Sequence, residues 1–156
     1  MLIAYICIMI TYKVTVHDNG DKYWYLNGKR HRTDGPAVEF ADGDKYWYLN
    51  GQFHREDGPA IEYAYGGKCW YLNDQRHRED GPAYEGPTGT KAWHLNGKRH
   101  RTDGPAVEFA DGEKSWYVNG VELTEQQFND KMNLAVEITI AEIEKRLNLK
   151  NLKIVK

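Results

Sequence analysis

Short runs of aromatic and β-branched residues recur along this chain, separated by Asn-Gly, Asp-Gly and Gly-Pro. One stretch reads Tyr46-Trp47-Tyr48-Leu49, Asn50-Gly51, Gln52 to Glu56, Asp57-Gly58-Pro59, then Ala60-Ile61-Glu62-Tyr63. Runs of this length and kind predict strands. Asn-Gly tolerates positive φ at both central turn positions and predicts a two-residue type I′ hairpin. Asp42-Gly43, Asp111-Gly112 and Asn19-Gly20 carry related turn chemistry. Gly-Pro interrupts a ladder, because proline has no N–H to donate. No helical period fits between these signals, so each stretch predicts about two short strands joined by tight turns.

The pattern is periodic. Trp24, Trp47, Trp70, Trp93 and Trp116 stand 23 residues apart, and Asn27, Asn50, Asn73, Asn96 and Asn119 keep the same phase. His31, His54, His77 and His100 are each followed by arginine, and Asp-Gly-Pro-Ala begins at Asp34, Asp57, Asp80 and Asp103. Such a period predicts a stacked array in which each unit packs mainly on its neighbours. The fold expected is mainly β: an elongated array of five 23-residue hairpin repeats over residues 14–120.

If Asp42-Gly43 is a two-residue loop, Val38 faces Trp47 and Glu39 faces Tyr46. Alternation then puts Trp47, Leu49 and Val38 on a core face, and Tyr46, Tyr48, Glu39 and Ala37 on a half-exposed face. A slip of one residue would exchange the two. The third and fourth units depart from the pattern, with Cys69 and Ala92 in place of Tyr, and Pro87 after Tyr84-Glu85-Gly86 predicting a bulge or edge.

After Val118-Asn119-Gly120 the period changes. Thr124 and Gln127 form a capping-box pattern. Phe128, Met132, Ala135, Val136, Ile143 and Leu147 then recur at helical spacing. One helix over about 125–148, or two with a break near Asn133, would cap the last unit within a C-terminal segment 121–156, with residues 148–156 as a final short strand or tail. At the other end, residues 1–13 begin with an apolar run, Met1 to Ile10, far shorter than the ~20 residues a membrane span needs. It lacks the basic start and small-residue cleavage site of a secretory signal. A buried first strand or an apolar leader is expected, and Met9 offers an alternative translation start.

Lys and Arg number 21 against 23 Asp and Glu, a net charge of −2, which disfavours binding to extended nucleic acid. Cys7 and Cys69 fit no disulfide framework or metal knuckle, so a reduced, cytoplasmic protein is expected.

The consensus Y-x-L-N-G-K-R-H-R-x-D-G-P-A-V-E-x-A-D-G resembles variant MORN-type repeats of bacteriophage, bacterial and giant-virus proteins. The closing Val118-Asn119-Gly120-Val121-Glu122-Leu123-Thr124-Glu125-Gln126-Gln127-Phe128 is similar to how such phage proteins often end. This chain departs from the standard repeat in having Arg32, Arg55, Arg78 and Arg101 where glycine follows His. The resemblance implies an elongated hairpin array used for scaffolding, dimerisation or partner binding, with lipid binding proposed for some members. It implies no reaction.

The His-Arg-x-Asp set invites a catalytic or metal reading, but it recurs four times in one register. A reaction needs one constellation with distinct neighbours; repetition is what a turn-stabilising network produces. No catalytic residue, cofactor or metal is assigned. The second candidate is anion binding by Arg30, Arg32, Arg99 and Arg101, which lie in two basic patches separated by acidic stretches. Those patches suit a small nucleotide better than a polymer. The third is an aromatic face of Tyr23, Tyr25, Tyr46, Tyr48, Tyr71, Tyr84, His94 and Tyr117, serving either as a partner-binding surface or as stiffening of a solvated sheet. The function expected is a non-enzymatic binding module, phage-encoded, that binds and inhibits or redirects a host protein such as a defence protein. It would act in the host cytoplasm, with self-association as a further possibility and no membrane partner. Sequestration of a small nucleotide or other anionic ligand by basic and aromatic pockets is the alternative, and an enzyme the third.

Overall fold

The computed structural model of the chain describes residues 11–147, with side chains through 145. The apolar run Met1 to Ile10 and residues 148–156, read above as strand or leader and as strand or tail, lie outside the described residues. The protein is mainly β, a repeated hairpin array followed by one C-terminal helix.

The second, third and fourth units each supply four two-residue strands. In the second unit these are Lys45–Tyr46, Tyr48–Leu49, Gln52–Phe53 and Ile61–Glu62. Strands before the tryptophan and strands after Gly-Pro-Ala pair antiparallel in alternation. They build one sheet from Lys13–Val16 to Val121–Leu123. Eleven strands lie along that path, and at ~4.8 Å each the array extends roughly 48 Å. The tryptophan backbone turns the corner: Trp47 N–H donates to Ala60 O at 2.8 Å, and Trp47 O accepts from His54 N–H at 3.2 Å. Beyond the corner the Asn-Gly hairpin forms its own ribbon. Ribbons are joined from unit to unit, with Arg32 N–H bonded to Tyr48 O and Gly51 N–H to Arg30 O.

The two turn types differ, and the difference corrects the register. Asn50 and Gly51 have φ of 54° and 89°, as a two-residue type I′ turn requires. At Asp42-Gly43 only the glycine is positive, with φ 101°. That loop has three residues, Ala41 to Gly43, closed by Phe40 N–H to Asp44 O and Gly43 N–H to Phe40 O. The extra residue slips the pairing by one, so Val38 faces Tyr46 and Glu39 faces Lys45. Val38 stays in the core as expected, but Tyr46 and Tyr48 join it there in place of Trp47 and Leu49. One row across the sheet reads Tyr23, Val38, Tyr46, Ile61, Cys69, Tyr84, Ala92, Val107, Ser115. The adjacent row alternates in charge: Lys22, Glu39, Lys45, Glu62, Lys68, Glu85, Lys91, Glu108, Lys114. Opposite charges directly across a ladder favour this register over any slip that would bring like charges together.

The core follows the first row. Val38 and the alanines of Asp-Gly-Pro-Ala (Ala37, Ala60, Ala83 and Ala106) are fully buried. Around the cluster of Ala37, Val38 and Tyr48 pack Tyr23, Trp24, Phe40, Tyr46 and Phe53, with edge-on ring pairs from Tyr23 through Phe40 to Tyr46.

The irregular third unit is a compensated packing change. Tyr84 stands where the other units have Val38, Ile61 and Val107, and it faces the small Cys69 and Ala92. Gly86 replaces Phe40, Tyr63 or Phe109, and a Cβ there would lie 3.0 Å from the Tyr84 hydroxyl. Pro87 makes no bulge, contrary to expectation. It takes the first loop position of a three-residue turn, where fixed φ is tolerated. Ala41, Ala64 and Ala110 at that position donate their N–H to Asp21, Asp44 and Thr90. Pro87 has no N–H, and the matching acceptor position is Gly67.

The helix, Glu125–Leu147, runs unbroken past Asn133. Its capping box is formed on both sides: Gln127 N–H donates to Thr124 Oγ1 at 3.2 Å, and Thr124 N–H to Gln127 Oε1 at 2.9 Å. Phe128 is buried against the last strands, but Val136 and Ile143 remain 52% and 41% exposed, so the apolar stripe is only partly used. Among the described residues no helix is long and apolar enough to cross a membrane.

Candidate functional site

On the tryptophan side each arginine after histidine is held in a clamp. Arg55 Nε donates to Asp57 at 2.9 Å, and its Nη1 donates to Pro59 O at 3.2 Å and to Glu62 at 2.9 Å. Its Cζ lies 4.1 Å from the Trp47 ring centroid. Arg32, Arg78 and Arg101 repeat the arrangement over Trp24, Trp70 and Trp93. The clamp explains the glycine of Asp-Gly-Pro: a Cβ on Gly58 would come within 2.9 Å of Arg55 Cζ. Hydrogen bonding from the arginine holds Asp34, Asp57, Asp80 and Asp103 below the usual carboxylate range.

Histidine joins one unit to the next. Asn50 N–H donates to His31 Nδ1 at 3.1 Å, and Asn96 and Asn119 do the same to His77 and His100. The same Nδ1 lies 2.9 Å from the Asn50 side-chain oxygen, and Nδ1 of His54 and His77 lies equally close to those of Asn73 and Asn96. In the two middle units Nε2 faces Glu56 at 3.5 Å from His54 and Glu79 at 3.7 Å from His77. The repeated His-Arg-x-Asp set is therefore an inter-unit network, with Arg rather than His on the aspartate.

Between successive clamps lie three equivalent grooves of about 630, 690 and 570 Å³. Trp47 and Leu49, Trp70 and Leu72, and Trp93 and Leu95 line them in turn. Each has two arginines on its walls, against three, four and three carboxylates. Sequence reasoning missed these grooves because the register it used put the tryptophans in the core; they are half-buried, like most of the tyrosines, and line the groove walls. The recurring Trp-x-Leu and Arg-x-Asp at fixed offset were the available signal.

The other candidate residues fall elsewhere. Tyr23, Tyr25, Tyr46, Tyr48, Tyr71, Tyr84, His94 and Tyr117 do share a side, but it is the packed one. Tyr48 and His94 are buried and the others half-buried. Arg30 and Arg99 lie on this tyrosine side, with Nη1 bonded to the Tyr48 and Tyr117 hydroxyls. Arg32 and Arg101 are clamped on the tryptophan side. The four arginines proposed as an anion site are not brought together. Among the described residues no group of three or more His, Cys, Asp or Glu is placed to hold a metal ion.

His94 is the conspicuous misfit. It occupies the position of Tyr48 and Tyr71, is 7% exposed, and its Nδ1 has no hydrogen-bond partner. Burial, then the Arg76 charge, lowers its pKa below 6.5, against a backbone hydrogen bond with Ala92 that raises it. A base whose folded pKa is depressed leaves the unfolded state with more bound protons. Stability is then complete above pH 6.5 and declines as pH falls from there toward the folded pKa. His94→Tyr should gain about 1 kcal/mol at pH 7 by removing the unsatisfied nitrogen. It should also flatten stability between pH 6.5 and 5 in denaturant titrations. A variant no more stable than the parent, with an unchanged pH slope, would refute this.

No protein-family model and no curated protein matches this chain.

Proposed function

We propose that the protein is a non-enzymatic scaffold of the MORN-type repeat class that binds a partner protein along its tryptophan face. The observation that carries this reading is the recurrence of one groove three times in register. A row of identical sites suits an extended partner; a reaction needs one distinct site. Arg32 and Arg101 are already engaged with Asp, Glu and main-chain oxygen, and Arg30 and Arg99 lie on the other side with tyrosine hydroxyls, which weighs against nucleotide sequestration. The resemblance to phage repeat proteins makes a host protein in the host cytoplasm the partner class we favour.

A photocrosslinking residue can be placed at Glu56, at Glu79 or at Tyr65, a loop position 65% exposed and away from the grooves. The expected result in host extract is one partner protein crosslinked from both glutamate positions and not from Tyr65. Crosslinks from Tyr65 alone, or from none of the three, would overturn the reading.

A further inference from the structure

We infer that the groove row takes a cationic segment in polyproline II conformation, with Lys or Arg at every third residue. The inference rests on the scaffold reading above and names its partner's chemistry.

Charge comes first. The groove arginines are neutralised from behind by Glu39, Glu62, Glu85 and Glu108 as well as by the aspartates. Exposed Lys45, Lys68 and Lys91 stand opposite those glutamates along the ladder, while on the groove walls themselves carboxylates outnumber arginines. The side chains of Asp57, Asp80 and Asp103 are 84%, 83% and 79% exposed, and those of Glu56 and Glu79 84% and 83%. Each groove indole already carries its own clamp arginine over one face, so direct attraction to the exposed rim carboxylates is what selects a cation. The middle groove is lined by both Glu56 and Glu79, whereas the outer two each keep one of them, with Thr33 beside Glu56 and Thr102 beside Glu79.

Spacing then selects the conformation. Equivalent grooves are two strands apart, about 9.6 Å. A polyproline II segment rises ~3.1 Å per residue and turns once in three, so residues i, i+3 and i+6 point the same way at about 9.3 Å intervals. A β-strand covers a similar distance in three residues, but its side chains alternate, so i and i+3 point to opposite sides. Two turns of an α-helix span about 10.8 Å, which drifts by more than 1 Å at each groove. Polyproline II alone matches both pitch and direction, and its preformed backbone lowers the ordering cost.

The probe is a peptide carrying three Arg-Pro-Ala triplets. It is compared with a permutation of the same composition whose arginines are adjacent, and with a Glu-Pro-Ala version. Binding to the full chain is read by fluorescence anisotropy at low and physiological salt. The periodic peptide should bind about tenfold more tightly than its permutation, through simultaneous engagement of three sites. The acidic peptide should not bind, and replacing the middle arginine should weaken binding more than replacing either outer one. Glu56→Gln with Glu79→Gln should weaken the periodic peptide several-fold; both lie outside the arginine clamps, and each gives up only its contact of 3.5 or 3.7 Å with His54 or His77. Equal binding of periodic and permuted peptides, preference for the acidic one, or indifference to the double substitution would each overturn the inference. If the peptides fail while the rim crosslinks persist, the scaffold stands and this partner chemistry falls. If the crosslinks fail as well, both fall.

Discussion

Truncation of Tyr48 to alanine is expected to cost about 3–4 kcal/mol, near the upper range for a single aromatic in a repeat core. The ring is 7% exposed and stacks on Phe53 with centroids 4.3 Å apart. Its hydroxyl accepts from Arg30 Nη1 at 3.3 Å, and Arg30 Cζ sits 5.3 Å from the ring centroid. Alanine therefore empties the space between two units and removes the acceptor that orients a neighbouring cation. Trp47→Ala should cost less, about 1–2 kcal/mol, although tryptophan is the larger side chain. Its ring is half-exposed and covered on one side by Arg55, which can follow the surface inward. Tyr48→Phe, which keeps the ring and loses only the hydroxyl, should cost no more than about 1 kcal/mol. The comparison is a urea titration of the three variants against the parent. A larger loss for Trp47→Ala than for Tyr48→Ala would mean that the tryptophan side is the core and that the three-residue loop is misassigned.

That order inverts what hydrophobicity alone suggests, and the reason is local. The period, the strand pieces, the type I′ turns at Asn-Gly and the capping box at Thr124 are all fixed by nearest-neighbour chemistry and were legible in the pattern. Asp42-Gly43 was not, because Asp-Gly serves two-residue and three-residue loops alike. The choice between them is made by pairing farther along the chain. Asp21 Oδ1 accepts the Ala41 N–H at 2.8 Å, and Lys45 must meet Glu39 and Glu62 on either side. One residue of loop length then decides which aromatics are buried, and with them which face can meet a partner. The charged row was the unread clue: Lys45 and Glu62 recur every 23 residues, and only the observed register places them opposite one another. The grooves were hidden for a related reason. Each is built from two successive units, Arg and Asp from one and Trp and Leu from the next, so no single copy of the repeat displays it.

The same inter-unit construction makes the arginine clamp a sensitive point. Arg55→Ala should lower stability by about 2–3 kcal/mol, because Glu62, with its side chain 35% exposed, loses its guanidinium and Pro59 O loses a donor. The stack on Trp47 goes with them. Arg55→Lys should recover less than half of that loss. An ammonium keeps the charge, but it cannot span Asp57, Pro59 O and Glu62 at once or lie flat on an indole. Acid should erase part of the difference in a defined window. Asp57 has its folded pKa lowered below 3.8, chiefly by the Arg55 hydrogen bond. Its contribution is therefore complete above pH 3.8 and is lost as pH falls through the folded value. In Arg55→Ala that depression disappears. Parent and variant melting temperatures should thus converge as pH drops below about 4, and stay apart between pH 5 and 7. Melting curves across that range at low salt provide the measurement. A gap that stays constant down to pH 2.5 would mean that the clamp acts through packing on Trp47 alone, with its ion pairs contributing nothing to the stack.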